Sequence, residues 1–228
     1  MGTRYFTPKL FAFLRDLAES NDRDWFRSHQ DDYERHVREP ALDFIADAAE
    51  PLARISEHFR ADTRKVGGSL FRIQRDVRFS QDKSPYKTNT GMHFRHIQAR
   101  DAHAPGFYIH LEPRSSFIGV GLWRPDAATA YAIRSAIDES QDAWVGATRE
   151  PSFRQTFVLD GDSLKRPPRG YGAEHPLIDD LKRKDFVASA RIAQSQITSD
   201  HFLEDFIDHC RRAAPYMAFL CRATGVPF

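Results

Sequence analysis

The chain has 228 residues, of which 41% are hydrophobic and 29% charged, with 33 Lys and Arg against 32 Asp and Glu. That length supports a core without disulfide or metal staples and fits one large domain or two small ones. A mean hydropathy of −0.57 and 12% aromatic residues exclude a disordered chain, no apolar run approaches the roughly 20 residues of a membrane span, and a net charge of +1 speaks against a protein wholly devoted to nucleic acid.

No apolar leader follows Met1-Gly2-Thr3-Arg4-Tyr5, so no signal peptide is expected. Thr7-Pro8 reads as an N-cap with proline at the first helical position. Leu10, Phe13, Leu14 and Leu17 then recur at helical spacing. Asn21-Asp22 starts a second helix with Trp25, Phe26, His29, Tyr33 and Val37 on its apolar face. Pro40 opens a third, which Pro51 is expected to kink or split. At Gly67-Gly68 the period changes. From Leu70 to Phe79, Phe71, Ile73, Val77 and Phe79 alternate with Arg72, Gln74, Asp76 and Arg78, which predicts a strand. Residues 90–97, 106–112 and 116–123 follow as strand candidates, the last two joined by a turn at Pro113-Arg114-Ser115. Helix returns after Pro125-Asp126, with Ile133 and Ile137 inward. Short strands are expected at 156–159 and 185–192. Residues 161–175, rich in Gly, Pro and Arg, form a loop. A final helix capped at Thr198-Ser199-Asp200 carries Phe202, Phe206, Ile207, Met217 and Leu220 inward and is bent by Pro215. Cys210 and Cys221 share that helix and cannot bridge there, so the expected compartment is the cytoplasm.

These elements predict one α+β domain over residues 1–228: a helical part at about 7–60, a sheet core at about 67–124, and helices with a basic loop at 125–228. An antiparallel-rich sheet of about four to six strands is expected, packed by helices.

The charge is unevenly placed. Between Arg64 and Arg95 stand eight cationic residues and two acids, a local sum of +6 in a chain of +1. Arg72, Arg75, Arg78, Lys83 and Lys87 crowd around one strand and turn, with Asp76, Ser80, Asp82 and Asn89 among them. A second basic segment runs from Lys165 to Lys184 and includes Tyr171 between two glycines. Arginine offers a planar fork that matches phosphate or carboxylate, and clustered cations repel until an anion relieves them. The expected partner is therefore a small anionic ligand. The same surface contacting nucleic acid is the weaker alternative, and a structural ion-pair network in a protein-interaction module is the third. No membrane association is expected, and the oligomeric state is left open.

The stretch from Gly67 to Asn89, GGSLFRIQRDVRFSQDKSPYKTN, is distinctive, as are Asn21–Phe26, Gly106–Pro113, Gly119–Pro125 and Leu164–Tyr171 with His175-Pro176. Together these resemble the domain of unknown function 2461 family over nearly the whole chain. The resemblance implies one family-length domain and carries over neither an activity nor catalytic residues. Gln81 departs from the family pattern, which has lysine there and would make the turn more purely cationic.

For chemistry, His110 and Glu112 stand two apart on a predicted strand, side by side with Tyr108, and suit general acid–base work. Tyr86 is a third candidate to orient a ligand or move protons. Gly119 and Gly121 leave the following strand bare enough for a ligand to approach, and residues 165–171 are expected to fold over as a lid. No metal or other cofactor is expected, since no ligand cluster has recognised spacing; His93 and His96, three apart on a strand, face opposite ways. Ser80–Lys83 and Ser84–Lys87 match a serine acyl-enzyme spacing but lack its companion motifs, and phosphate-loop motifs are absent.

Overall fold

The computed structural model describes residues 2–98 and 104–228. Helix α1 (Pro8–Glu19) begins where the cap predicts: the Thr7 hydroxyl accepts from the Lys9 amide, and Leu10, Phe11, Phe13, Leu14 and Leu17 are buried. Asp22 caps α2 (Arg23–Ser28), its carboxylate accepting from the amides of Asp24 and Trp25 at 2.9 and 2.8 Å. Then α3 (Gln30–Tyr33), a π-helical turn (Glu34–Arg38) and α4 (Glu39–Ala53) run on almost without a break. Tyr33, Val37 and Ala41 are buried along this stretch. Pro51 does not split α4; it falls in the last turn, and the helix ends at Ala53.

Five strands form one sheet: β1 (Thr90–Arg95), β2 (Gly106–Leu111), β3 (Phe117–Leu122), β4 (Val158–Asp160) and β5 (Phe186–Arg191), in the order β1-β2-β3-β5-β4 with every pair antiparallel. The β2–β3 turn lies at Pro113–Ser115 as predicted. Arg114 takes a positive φ of 67° there, and the Ser116 hydroxyl bonds both the amide and the carbonyl of Glu112. The other helices are α5 (Ala127–Glu139), capped by Asp126, then α6 (Gln141–Arg149), α7 (Pro151–Thr156), α8 (Ile178–Leu181), α9 (Gln194–Ile197) and α10 (Phe202–Ala223). Helix α10 continues through Pro215.

The expected strand at Leu70–Phe79 does not form. Leu70 pairs with Met92 and Gln74 with Tyr86 as isolated bridges only. The backbone first bonds β1, through Phe71 N–H to Gly91 O and His93 N–H to Ser69 O, and then turns away to bond residues 85–87. The alternation breaks where local pairing takes over. Asp76 accepts from both the amide and the guanidinium of Arg78, a side-chain-to-backbone contact that competes with a ladder. Phe79, on the predicted apolar side, is 95% exposed.

The inner sheet face carries Met92, Phe94, Phe107, Ile109, Leu111, Ile118, Val120, Leu122, Phe186, Ala188 and Ala190, all buried. Helix α10 covers it, and α4 packs on α10. Phe94 meets Phe206 with ring centroids 5.0 Å apart, Phe44 meets Phe202 at 5.2 Å, and Trp144 meets Phe219 at 5.1 Å. Burial of each such side chain contributes about 1.5–3 kcal/mol. Cys210 and Cys221 are both buried and unbridged on α10. Among the described residues no helix is long and apolar enough to cross a membrane. The fold is a single α+β domain whose sheet draws on both the middle and the last part of the chain.

Candidate functional site

The basic turn is internally matched. Arg75 pairs with Asp82, and Arg78 pairs with Asp76 at 2.6 Å. Lys83 Nζ donates to the Val77 carbonyl at 3.0 Å and Lys87 Nζ to the Arg72 carbonyl at 2.8 Å. Ser80 Oγ accepts from Arg75, while Ser84 donates both its amide and its hydroxyl to Asp82. The carboxyls of Asp76 and Asp82 are held well below the usual carboxylate range, Asp76 at about 2 by the Arg78 guanidinium, and Asp82 by bonds from Ser84 and then Arg75. Arg72 is exposed and Asn89 half-buried just before β1.

A concavity lies elsewhere, on the outer face of the sheet. Pairing registers place His93, Tyr108, Gly119 and Ser189 in one row across β1, β2, β3 and β5. The row on one side reads Gly91, His110, Phe117 and Arg191; the row on the other reads Arg95, Gly106, Gly121 and Val187, with Asp160 opposite Val187 on β4. Over these rows opens a cavity of about 420 Å³. Phe71 walls it beyond β1, the Asp160–Gly161 turn walls it beyond β5, and Trp123, half exposed, stands at its mouth with Arg124 stacked 4.5 Å from its ring centre.

The glycines of these rows do different jobs. A Cβ on Gly91 would come within 2.5 Å of Tyr108 Oη, and one on Gly106 would run into His93 Nε2, so these two make room for rings that lie flat on the sheet. Gly119 differs. A Cβ there would meet only Phe117 at 3.4 Å and Tyr108 at 3.7 Å, ordinary contacts, and would otherwise project into the cavity.

Three polar side chains form a chain along one edge. Tyr108 Oη is 3.1 Å from His110 Nδ1, and His110 Nε2 is 3.2 Å from Glu112 Oε2. A carboxylate at Glu112 fixes the tautomer: Nε2 carries the proton and donates to it, so Nδ1 accepts the Tyr108 hydroxyl proton. Phe117 stacks on the His110 ring at 4.8 Å and holds its plane. Burial, then the Glu112 charge, push the Tyr108 phenol up to about 12, so it keeps its proton until something accepts it. His93 is driven down to about 4 by burial and then by Arg95, and stands in the cavity wall as a neutral ring. At the opposite edge Ser189 Oγ donates to Asp160 Oδ2 at 2.9 Å, and the Gly161 amide donates to Oδ1 at 2.7 Å.

The structure thus brings together His110 and Glu112 as the sequence suggests, and joins Tyr108 to them. It does not bring Tyr86 to the cavity. That ring stacks on Phe26 at 4.1 Å, and its backbone amide and carbonyl are both held by the Asn21 carboxamide at 3.0 Å. Nor do Lys165 and Tyr171 close over it: Lys165 is exposed, and Tyr171 packs against His175, which bonds Asp138 of α5. Phe107 is fully buried in the inner face. Sequence reasoning missed His93, Asp160 and Ser189 as cavity residues. Only the strand pairing brings them together, and no local motif marks it. Among the described residues no group of three or more His, Cys, Asp or Glu side chains is placed to hold a metal ion.

A family model described as "Conserved hypothetical protein (DUF2461)" matches residues 9–219. No curated protein matches the chain, and no solved structure does.

Proposed function

The chain belongs to the domain of unknown function 2461 family, and from that premise we propose that it binds a small, largely apolar molecule on the outer face of its sheet and exchanges a proton with it. The observation that carries this reading is the Tyr108–His110–Glu112 chain opening into an aromatic hollow with a bare glycine in its floor. Such a hollow supplies affinity through apolar burial and orientation through a few polar atoms. Tyr108 Oη is the terminal group. It takes a proton from a ligand atom while passing its own hydroxyl proton to His110 Nδ1, and Glu112 stabilises the imidazolium that forms. Positioned transfer of this kind contributes roughly 10²–10⁴-fold to a rate.

A thermal-shift screen of uncharged, cationic and anionic small molecules against the wild type and Gly119→Val tests this reading. A ligand at a hundredfold excess over its Kd adds about 2.7 kcal/mol, a rise of roughly 5–10 °C for a domain of this size. The Gly119→Val protein is expected to fold normally, because its Cβ meets only ordinary contacts, and to lose that rise because the side chain fills the floor. A Gly119→Val protein that keeps the full response would place the ligand elsewhere and end the proposal.

An anion held by the basic turn has less support, since its acids and carbonyls already engage Arg75, Arg78, Lys83 and Lys87. Sulfate and phosphate are therefore expected to raise the melting temperature no more than chloride at equal ionic strength, and an Arg78→Ala, Lys83→Ala double variant to respond as the wild type does. A phosphate-specific rise lost in that variant would restore the turn as a ligand site.

A further inference from the structure

The edge of the cavity opposite His110 has its own chemistry. Among the described lining residues Asp160 is the one Asp, Glu, Lys or Arg. Its carboxylate is oriented rather than neutralised: Ser189 and the Gly161 amide each donate one hydrogen bond to it, and neither brings a positive charge. With its own proton committed to Asp160, the Ser189 oxygen faces a ligand as an acceptor as well. This end of the cavity therefore asks for a donor.

The surroundings agree. Phe71, Tyr108, Phe117 and Trp123 supply ring faces or edges around the same hollow, and a ring face attracts a cation. Of the neighbouring cations, Lys87, Arg183 and Arg124 are engaged elsewhere, and Arg191 stands one row from Ser189 on β5. Lys87 Nζ lies 5.6 Å from the Phe71 ring centre and donates to the Arg72 carbonyl. Arg183 donates to the Asp160 backbone carbonyl and sits 3.7 Å from the Asp180 carboxylate. Arg124 stacks on Trp123 at the mouth. His93, in the wall on β1, stays neutral above its lowered pKa. Glu112 adds a second acid behind His110.

We propose that the ligand of this cavity is an organic amine, its apolar body lying on the aromatic walls and its ammonium group meeting the Asp160–Ser189 pair. The inference rests on the cavity reading above and adds the chemical class of the ligand.

Three probes of one shape separate the two claims: phenethylamine, 2-phenylethanol and 3-phenylpropionate, titrated into the wild type, Asp160→Asn and Gly119→Val by calorimetry or by NMR. Phenethylamine is expected to bind the wild type at least about tenfold more tightly than 2-phenylethanol, with 3-phenylpropionate weakest. Asp160→Asn should bring phenethylamine down to the level of 2-phenylethanol while leaving 2-phenylethanol unchanged, which also shows that the variant is folded with its cavity intact. Gly119→Val should weaken all three. Equal or tighter binding of 3-phenylpropionate, still lost in Gly119→Val, would overturn the amine class while leaving the cavity standing. Amine binding unaltered by Asp160→Asn would overturn the assigned anchor. Failure of every probe to bind the wild type at millimolar concentration would overturn both.

Discussion

Replacing Gly121 by alanine is expected to lower the melting temperature by about 10 °C or more, whereas the same change at Gly119, two residues away on the same strand face, leaves it equal or slightly higher. Gly121 holds φ at +115°, outside the region that L residues tolerate. An added Cβ would press into the Phe186 carbonyl oxygen and stand 3.0 Å from Val187 Cα, both backbone atoms of the paired strand. Neither obstacle is a side chain that can swing aside. Strained backbone of this kind costs about 1–3 kcal/mol, and prising β3 from β5 adds to it. With roughly 2–4 °C lost per kcal/mol at this chain length, a total near 3–4 kcal/mol gives the stated drop. At Gly119 the added methyl restricts the unfolded chain and gains about 0.4–1 kcal/mol. Scanning calorimetry of the two variants measures this directly; a Gly121→Ala protein melting within 2 °C of the wild type would show that the strand pair yields more readily than its geometry implies.

Acid is expected to weaken the fold through His93. The ring is 9% exposed, and burial, with Arg95 nearby, drives its pKa to about 4 from an ordinary 6.5. Above pH 6.5 it is neutral folded or unfolded, and pH has no effect through it. Between about 6.5 and 4 the unfolded chain takes up a proton that the folded chain refuses, so stability falls as pH falls, by as much as about 1.4 kcal/mol per pH unit. Below about 4 both states are protonated and the loss levels off near 3 kcal/mol. His96, stacked on His58 and bonded to the Pro227 carbonyl, is also lowered by burial and adds in the same direction. His93→Gln isolates the first contribution: its urea midpoint should fall less between pH 7 and pH 4 than that of the wild type. Identical pH profiles for the two proteins would remove His93 as the cause.

Much of the fold was legible from local patterns. The Thr7-Pro8 and Asp126 caps set helix starts where the structure has them, and Pro113–Ser115 set the β2–β3 turn. The failure at residues 70–79 has a physical origin. An Asp and an Arg two residues apart lie on one face of a strand, but they also close a local side-chain-to-backbone bond, and the spacing is the same for both. A polar residue count cannot decide between them; the availability of an edge to pair with does. The candidate site divides in the same way. Tyr108 and His110 on β2 and Glu112 just past its end stand two residues apart, so period-2 reasoning finds them together. Asp160 and Ser189 meet only because β4 and β5 pair across a long excursion through the chain. The residues that raise the local charge of the basic turn also tie that turn to itself.

The Asn21 carboxamide, which bonds both the amide and the carbonyl of Tyr86, behaves as a free-standing peptide unit offered by the helical layer. Together with the bonds from Arg75 N–H to Pro85 O and from Lys87 N–H to Ile73 O, it cinches the neck of the segment between them. Residues 76–84 then form a spur closed at its root, and they can open at the expense of their own few bonds without loosening either β1 or the glycine floor. Through that arrangement the segment that carries Arg78 and Lys83 is decoupled from the sheet face that lines the cavity.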